Sequence, residues 1–114
     1  MTARVDYETL FTEHVADGVV LLTLNRPDRA NGVVPELARD MVEALTALEA
    51  DLSVRALVLT GAGKQFCAGA DLKEMNRYLA EDMPRTGEPY NARVIFPVIE
   101  RVVGSRLPVI AAVN

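Results

Sequence analysis

The sequence predicts an α/β protein, in which apolar strands alternate with helices in layers and some strands pair in parallel. Three observations predict this class. Short β-branched runs recur along the chain, segments with apolar residues every three or four positions lie between them, and Gly and Pro mark the boundaries. Strands that alternate with helices favour parallel pairing in a layered fold. The predicted order of elements is ββ-α-β-α-α-β.

The first two predicted strands form a β-hairpin. Residues 10–15 and 19–24 are apolar and β-branched, and they flank the segment Ala16-Asp17-Gly18. Glycine supplies the positive φ that a tight turn needs. Pro27 follows the second strand, and proline cannot continue a ladder. The hairpin is therefore expected to end at residues 25–28.

The first predicted helix covers residues 35–49. Pro35 suits the first helical position, whereas Val34 cannot cap the helix because its side chain has no acceptor. One apolar stripe runs along it, formed by Leu37, Met41, Leu45 and Leu48. The continuously apolar run at residues 56–60 then indicates a strand that is covered on both faces.

Asp71 is the predicted N-cap of a second helix, which runs from Leu72 to about Leu79. The polar segment 81–88 contains Pro84 and Gly87 and is predicted to be a mobile loop.

Residues 91–103 have a helical pattern that Pro97 should kink or split and that Gly104 closes. The final apolar run, residues 109–114, resembles a buried strand. Natural chain ends usually lie in exposed and loosely held segments. We therefore expect residues 1–114 to be the N-terminal part of a longer domain, cut off after Asn114.

Composition excludes several classes of protein. Half of the 114 residues are hydrophobic and the net charge is −4, which argues against disorder. Twelve basic residues face sixteen acidic ones, so a nucleic-acid partner is not expected. The single cysteine, Cys67, allows no intrachain disulfide and favours a reducing compartment, the cytoplasm. No run approaches the ~18 apolar residues that cross a bilayer, so no membrane partner is expected.

The glycine-rich loop at residues 61–70 is the most informative segment. A P-loop would need Gly where Val58 stands and Ser or Thr where Gln65 stands, and a dinucleotide fingerprint would need Gly or Ala in place of Phe66. What remains is a turn of small residues that delivers backbone N–H groups at a helix start, as an oxyanion hole requires. On spacing alone, a turn that Gly69 shapes and Asp71 caps is the simpler interpretation.

Five sequence blocks nevertheless resemble the enoyl-CoA hydratase/isomerase (crotonase) superfamily, in order and in approximate spacing. They are LNRP at 24–27 with Asn31, PEL at 35–37, LVLTG at 57–61, FCAGADLKEM at 66–75 and LPVIAAVN at 107–114. The resemblance implies a crotonase-like ββα spiral fold, of which this chain would be the N-terminal portion.

The resemblance also implies a binding site for acyl-CoA thioesters. The backbone N–H of Ala70 would be the first of two donors to the thioester oxygen. The adenine end of CoA would be framed by Ala68, Asp71 and Leu72. Four further residues would contact CoA or the acyl chain: Lys73 over the nucleotide, Met75 at the acyl chain, and Arg26 and Arg29 at the phosphates. Arg26 and Arg29 are both predicted to bind CoA, although surface arginine is the simpler alternative for either.

The implied reaction is the hydration of a 2-enoyl-CoA to a 3-hydroxyacyl-CoA, with CoA as part of the substrate and no separate cofactor or metal. The second donor and the catalytic glutamates would follow Asn114. Isomerisation, decarboxylation, or an inactive CoA-binding fragment are the alternatives, and the full-length protein would be a homotrimer or hexamer. Gly32 departs from the Ala–Leu pair that is usual in the family after Asn31, and a looser loop is one expected consequence.

Other reactive side chains have simpler explanations. Glu74 is expected to pair with Arg77 in solvent, and His14 is expected to lie at the surface of a strand. Cys67 is expected to be a small buried hydrophobe.

Overall fold

The computed structural model describes residues 3–114, and its centre is a five-stranded mixed sheet. The strands follow one another in space in the order β1-β2-β3-β4-β5. Strands β1, β2 and β3 pair antiparallel, whereas β3, β4 and β5 pair parallel. The predicted α/β class and its parallel pairing are confirmed. The strand bounds are β1 Arg4–Asp6, β2 Leu10–Ala16, β3 Val19–Leu24, β4 Ala56–Gly61 and β5 Val109–Ala111.

The hairpin of β2 and β3 forms where the sequence predicts it. Gly18 has a φ of +74° at the turn, and a Cβ atom there would lie 2.5 Å from Nε of Arg55. Both facts explain why glycine stands at this position. Strand β1 was not predicted, because its three residues are exposed and carry no apolar pattern.

The helices are α1 Pro35–Ala50, α2 Leu72–Glu81, α3 Met83–Thr86 and α4 Phe96–Val103, with a 3-10 turn at Pro27–Arg29 and a π-helical turn at Asn91–Ile95. The predicted split near Pro97 is confirmed, since the π-helical turn ends where α4 begins. The predicted loop at 81–88 is wrong in part. Pro84 lies in the first turn of α3, and Gly87, with a φ of +71°, ends that helix.

The main core lies between α1 and one face of the sheet. Both contribute fully buried leucines to one cluster, among them Leu45 of α1, Leu22 of β3 and Leu57 of β4. Burying such a side chain contributes about 1.5–3 kcal/mol. A second, smaller cluster consists of Tyr78, Tyr90 and Val94, with Met75 packed against it.

The opposite face of the sheet corrects two predictions. Leu21, Val58 and Ile110 pair side by side across β3, β4 and β5. Val58 is only half-buried and Ile110 is 54% exposed. Strand β4 is therefore not covered on both faces among the described residues, and β5 is not a buried strand. Within residues 3–114, the apolar runs of these two strands therefore do not mark burial on both faces.

Candidate oxyanion site

Val33 and Ala70, which are distant in sequence, meet in an isolated parallel β-bridge. The N–H of Val33 donates to the carbonyl of Gly69 at 2.7 Å, and the N–H of Asp71 donates to the carbonyl of Val33 at 3.2 Å. We call Val33 together with residues 69–71 the donor crossing. It lies between the 3-10 turn and α1 on one side and the start of α2 on the other.

These two hydrogen bonds set the direction of the Ala70 N–H. The carbonyl of Gly69 and the N–H of Ala70 belong to one peptide group, and in a planar trans peptide they point in opposite directions. Because that carbonyl points at Val33, the Ala70 N–H points away from Val33. Among the described residues, no hydrogen bond uses this N–H. It is a fixed donor that remains available to a ligand.

Gly69 leaves open space beside this donor. Its φ is +90°, a left-handed conformation that favours glycine, and no atom lies within 4 Å of the position that a Cβ would take. The preceding residue, Ala68, is exposed and donates its N–H to Ala30 at 3.0 Å. A ligand atom can therefore approach the main chain at this point.

Asn31 connects the glycine-rich loop to the segment that carries Val33. Its side chain is fully buried, and its backbone has a φ of +54°, which asparagine tolerates better than most residues. Its Oδ1 accepts the N–H of Arg26 at 2.7 Å. Its Nδ2 donates to the carbonyls of Gln65 at 2.8 Å and Ala62 at 3.0 Å. The Asn31 side chain thus connects the glycine-rich loop to the segment that carries Arg26 and Val33.

Asp71 caps α2 as predicted, because its Oδ1 accepts the N–H of Glu74 at 2.9 Å. That hydrogen bond, and after it the nearby guanidinium of Arg26, holds the pKa of Asp71 below its usual value. The guanidinium lies 3.4 Å from Oδ2 of Asp71 and also donates to the carbonyl of Gly32. A Cβ on Gly32 would lie 3.2 Å from Cα of Asp71, so glycine allows this close contact. Gly32 is therefore held by the hydrogen bond from Arg26 to its carbonyl and by its close approach to Asp71.

A charged cavity of about 320 Å³ brings together four of the eight predicted binding residues: Arg26, Arg29, Asp71 and Lys73. Arg26 is engaged with Asp71. Arg29 and Lys73 are exposed and form no ion pair with any residue in the range 3–114. They are the two cations of this cavity that no ion pair of the described residues engages.

The other predicted residues lie apart from that cavity. Leu72 is 73% exposed on the first turn of α2. Met75 packs against the Tyr78–Tyr90 cluster and lines a different cavity of about 190 Å³. The expected contact of Met75 with an acyl chain remains a prediction.

Tyr90 is a residue of this site that the sequence analysis missed. Its hydroxyl donates to the carbonyl of Val33 at 2.7 Å, and its side chain is buried. Burial, and then the charges of Glu74 and Asp71, raise the pKa of Tyr90 to about 12. The sequence offers one weak signal for this residue: Tyr90 is an isolated aromatic residue that follows Pro89 in a polar segment.

The remaining reactive groups fit their simpler explanations. Glu74 pairs with Arg77 at 2.6 Å, as predicted. Cys67 packs against the main core but is only half-buried, so its expected burial is confirmed in part. Within residues 3–114, His, Cys, Asp and Glu form no group of three that could hold a metal ion. No helix in that range is both long and apolar enough to pass through a bilayer.

Comparison with known proteins identifies the family of this chain. The family model described as enoyl-CoA hydratase/isomerase matches residues 14–114. The chain belongs to this family. A 1,2-epoxyphenylacetyl-CoA isomerase of Escherichia coli is 42% identical over 101 residues, which are 89% of this chain and 38% of that protein. A probable enoyl-CoA hydratase of Mycobacterium tuberculosis is 40% identical over 98 residues, covering 84% of this chain and 36% of that protein.

A solved structure of the enoyl-CoA hydratase family confirms the predicted crotonase-like fold. The crystal structure of enoyl-CoA hydratase from Bacillus anthracis superposes with a TM-score of 0.81 at 31% identity, covering 94% of this chain and 40% of that one. The chain therefore spans about two-fifths of the length of the enoyl-CoA hydratase/isomerase relatives that it matches.

Proposed function

We propose that the complete protein binds acyl-CoA thioesters and hydrates a 2-enoyl-CoA to a 3-hydroxyacyl-CoA. One observation carries the proposal: the N–H of Ala70 is unpaired among the described residues and is held in one direction by the donor crossing. A preorganised donor of this kind stabilises negative charge as it develops on a thioester oxygen.

In the proposed reaction, the oxygen of a water molecule adds to C3 of the enoyl group, and one of its protons goes to the medium through a base. The electron pair of the double bond moves to the thioester oxygen and forms an enolate. The Ala70 N–H and a second donor stabilise that enolate until C2 takes up a proton. We assign the second donor and the two catalytic glutamates to the sequence after Asn114.

The CoA moiety is proposed to lie over the charged cavity. Arg29 and Lys73 are exposed and without an ion pair in the described part of the chain, which suits them to the phosphates. Arg26 adds charge to the same cavity while it holds Asp71. Ala68 and Leu72, which are exposed, and Asp71, which is half-buried between them in sequence, are proposed to frame the adenine.

Replacement of Ala70 by proline tests the role of its N–H. Proline removes the donor without removing any hydrogen bond of the described residues, and A70G is the matched control that keeps it. In full-length protein with crotonyl-CoA, we expect kcat of A70P to fall about 10²- to 10³-fold. An A70P variant that folds and retains the kcat of A70G would refute the proposal.

Isomerisation of the enoyl double bond is the second candidate reaction, because the matching family model is described as enoyl-CoA hydratase/isomerase. The same full-length protein should be assayed with 3-enoyl-CoA, and turnover of that substrate alone would favour isomerisation. Residues 1–114 alone are expected not to hydrate crotonyl-CoA. Hydration by that chain would overturn the assignment of the glutamates to the following sequence.

We also propose that the full-length protein is a cytoplasmic homotrimer or hexamer, as is common in the family. Sedimentation equilibrium of the purified full-length protein measures the assembly directly, and a monomer would contradict this part of the proposal.

A further inference from the structure

We propose that Tyr90 is a positioning residue that holds the Ala70 N–H in its productive direction. The inference rests on the proposed function, since it assigns Tyr90 to the same oxyanion site. Its basis is one contact: the Tyr90 hydroxyl donates at 2.7 Å to the carbonyl of Val33, the residue that forms the bridge to Ala70.

The hydrogen-bonded link from Tyr90 to the donor runs through Val33, and Ala70 also packs against the cluster that contains Tyr90. The carbonyl of Val33 accepts from both the Tyr90 hydroxyl and the N–H of Asp71. The N–H of Val33 binds the carbonyl of Gly69 at 2.7 Å. Val33 therefore holds the peptide group on each side of Ala70. A shift of Val33 rotates both peptide groups, and the Ala70 N–H turns with them.

The Tyr90 ring is itself well held. It meets the ring of Tyr78 edge-on, with centroids 5.4 Å apart and an interplanar angle of 77°. Tyr78 belongs to α2, the helix that begins immediately after the donor crossing. Tyr90 is also the residue from which the π-helical turn starts, and such turns occur often at functional sites. The buried side chain of Tyr90 thus connects the start of the π-helical turn to Val33 in the donor crossing.

The charge state of Tyr90 is suited to this role. Because burial raises its pKa to about 12, the phenol remains protonated at the pH of an enzyme assay and remains a donor. A donor is what the Val33 carbonyl requires, and phenylalanine at this position offers none.

The test compares Y90F with Y78F in the full-length protein. Both variants lose one buried hydroxyl and keep the edge-on ring contact. The Tyr78 hydroxyl, however, donates to the carbonyl of Glu88 at 2.8 Å, lies 2.9 Å from Oγ1 of Thr86, and forms no hydrogen bond with Val33. With crotonyl-CoA, we expect Y90F to lower kcat about tenfold with KM changed less than about twofold, because a misplaced donor affects the transition state most. Y78F should change kcat less than about twofold.

A spectroscopic readout separates positioning from a general loss of structure. The probe is a CoA thioester of a chromophoric cinnamic acid, whose absorbance moves to the red when donors polarise its carbonyl. We expect a red shift with wild-type protein, a smaller shift with Y90F, and an undiminished shift with Y78F. Bound probe with no shift in wild type would overturn the proposed function. A shift that is equal in wild type and Y90F would overturn only the role of Tyr90.

If Y90F does not fold, 3-fluorotyrosine placed at position 90 keeps the packing and makes the hydroxyl a stronger donor. Relative to wild type, the red shift of the bound probe is then expected to change with 3-fluorotyrosine at position 90. It is expected to stay the same with 3-fluorotyrosine at position 78. Equal shifts for both replacements and wild type would overturn the inference.

Discussion

The donor crossing is held by directional hydrogen bonds, whereas the outer surface of α4 and β5 exposes apolar side chains. The donor crossing is held by two backbone hydrogen bonds of Val33 and by the loop before it, in which Asn31 is fully buried with three hydrogen bonds. On α4, on β5 and just after β5, by contrast, a set of apolar side chains is half or more exposed, and we call this set the α4–β5 surface. Those side chains are Phe96, Ile99, Val103, Ile110 and Val113. Directional bonds make the crossing sensitive to single atoms, whereas the α4–β5 surface should tolerate change.

Replacement of Asn31 by alanine should produce the largest effect. It leaves the N–H of Arg26 and the carbonyls of Ala62 and Gln65 without their partner, and it places alanine at a φ of +54°. A fully buried group without its partner costs about 1–3 kcal/mol, and these three bonds are partly buried, so water replaces some of them. We expect the free energy of unfolding to fall by about 3–4 kcal/mol in chemical denaturation.

Asn25→Ala is the matched control for that experiment. Asn25 lies in the same loop, but its side chain is exposed and forms no hydrogen bond with any of residues 3–114. The control should change stability by less than about 0.5 kcal/mol. A similar loss in both variants would show that the loop, and not the Asn31 bonds, sets the stability of the crossing.

Replacement of Asp71 by asparagine should give an intermediate effect that depends on pH. Asparagine keeps an oxygen for the Glu74 N–H but loses the negative charge near Arg26. Because the pKa of Asp71 is lowered in the folded protein, the charge stabilises the fold above the unfolded pKa of about 3.9, and that contribution disappears as pH falls through the lower folded value. We expect D71N to be less stable by about 1 kcal/mol at neutral pH.

Urea denaturation at several pH values measures this difference. The gap between wild type and D71N should close in strong acid, where Asp71 of the wild type is protonated. Asp28→Asn provides the control, since Asp28 is exposed and has no described ion pair. A gap that stays constant down to strong acid would mean that the charge of Asp71 does not support the crossing.

The regular elements of this fold could be predicted because their signals are local. The hairpin needs only Gly18 and two β-branched runs, and α1 needs only Pro35 and its apolar stripe. Strand β1 carries no such signal, since its residues are exposed and their strand geometry depends on pairing with β2. The burial of β5 was wrongly predicted because an apolar run does not reveal which faces other elements cover.

The site could be predicted in part for a related reason. Asp71 was recognised because an N-cap has a sequence signature. The roles of Asn31 and Tyr90 depend on backbone groups that lie 31–34 and 57 positions away in the chain, respectively. No local pattern encodes such contacts. They become visible only when the fold brings the segments together.

The smallest effect is expected on the α4–β5 surface, where Val103 is 80% exposed. Threonine has nearly the shape of valine, and it differs little from valine in helix propensity. At an exposed position its hydroxyl stays in water and costs nothing in desolvation. Val103→Thr should therefore change the free energy of unfolding by less than about 0.5 kcal/mol in chemical denaturation.

Val94→Thr makes the same chemical change at a buried position. Val94 is 6% exposed and packs with Tyr78 and Tyr90 beside the donor crossing. Burial of its new hydroxyl should cost about 1–2 kcal/mol, even if that hydroxyl finds a backbone carbonyl within its own turn. Equal effects at positions 94 and 103 would remove the contrast between the two regions, because the α4–β5 surface would then be as sensitive as the cluster that supports the crossing.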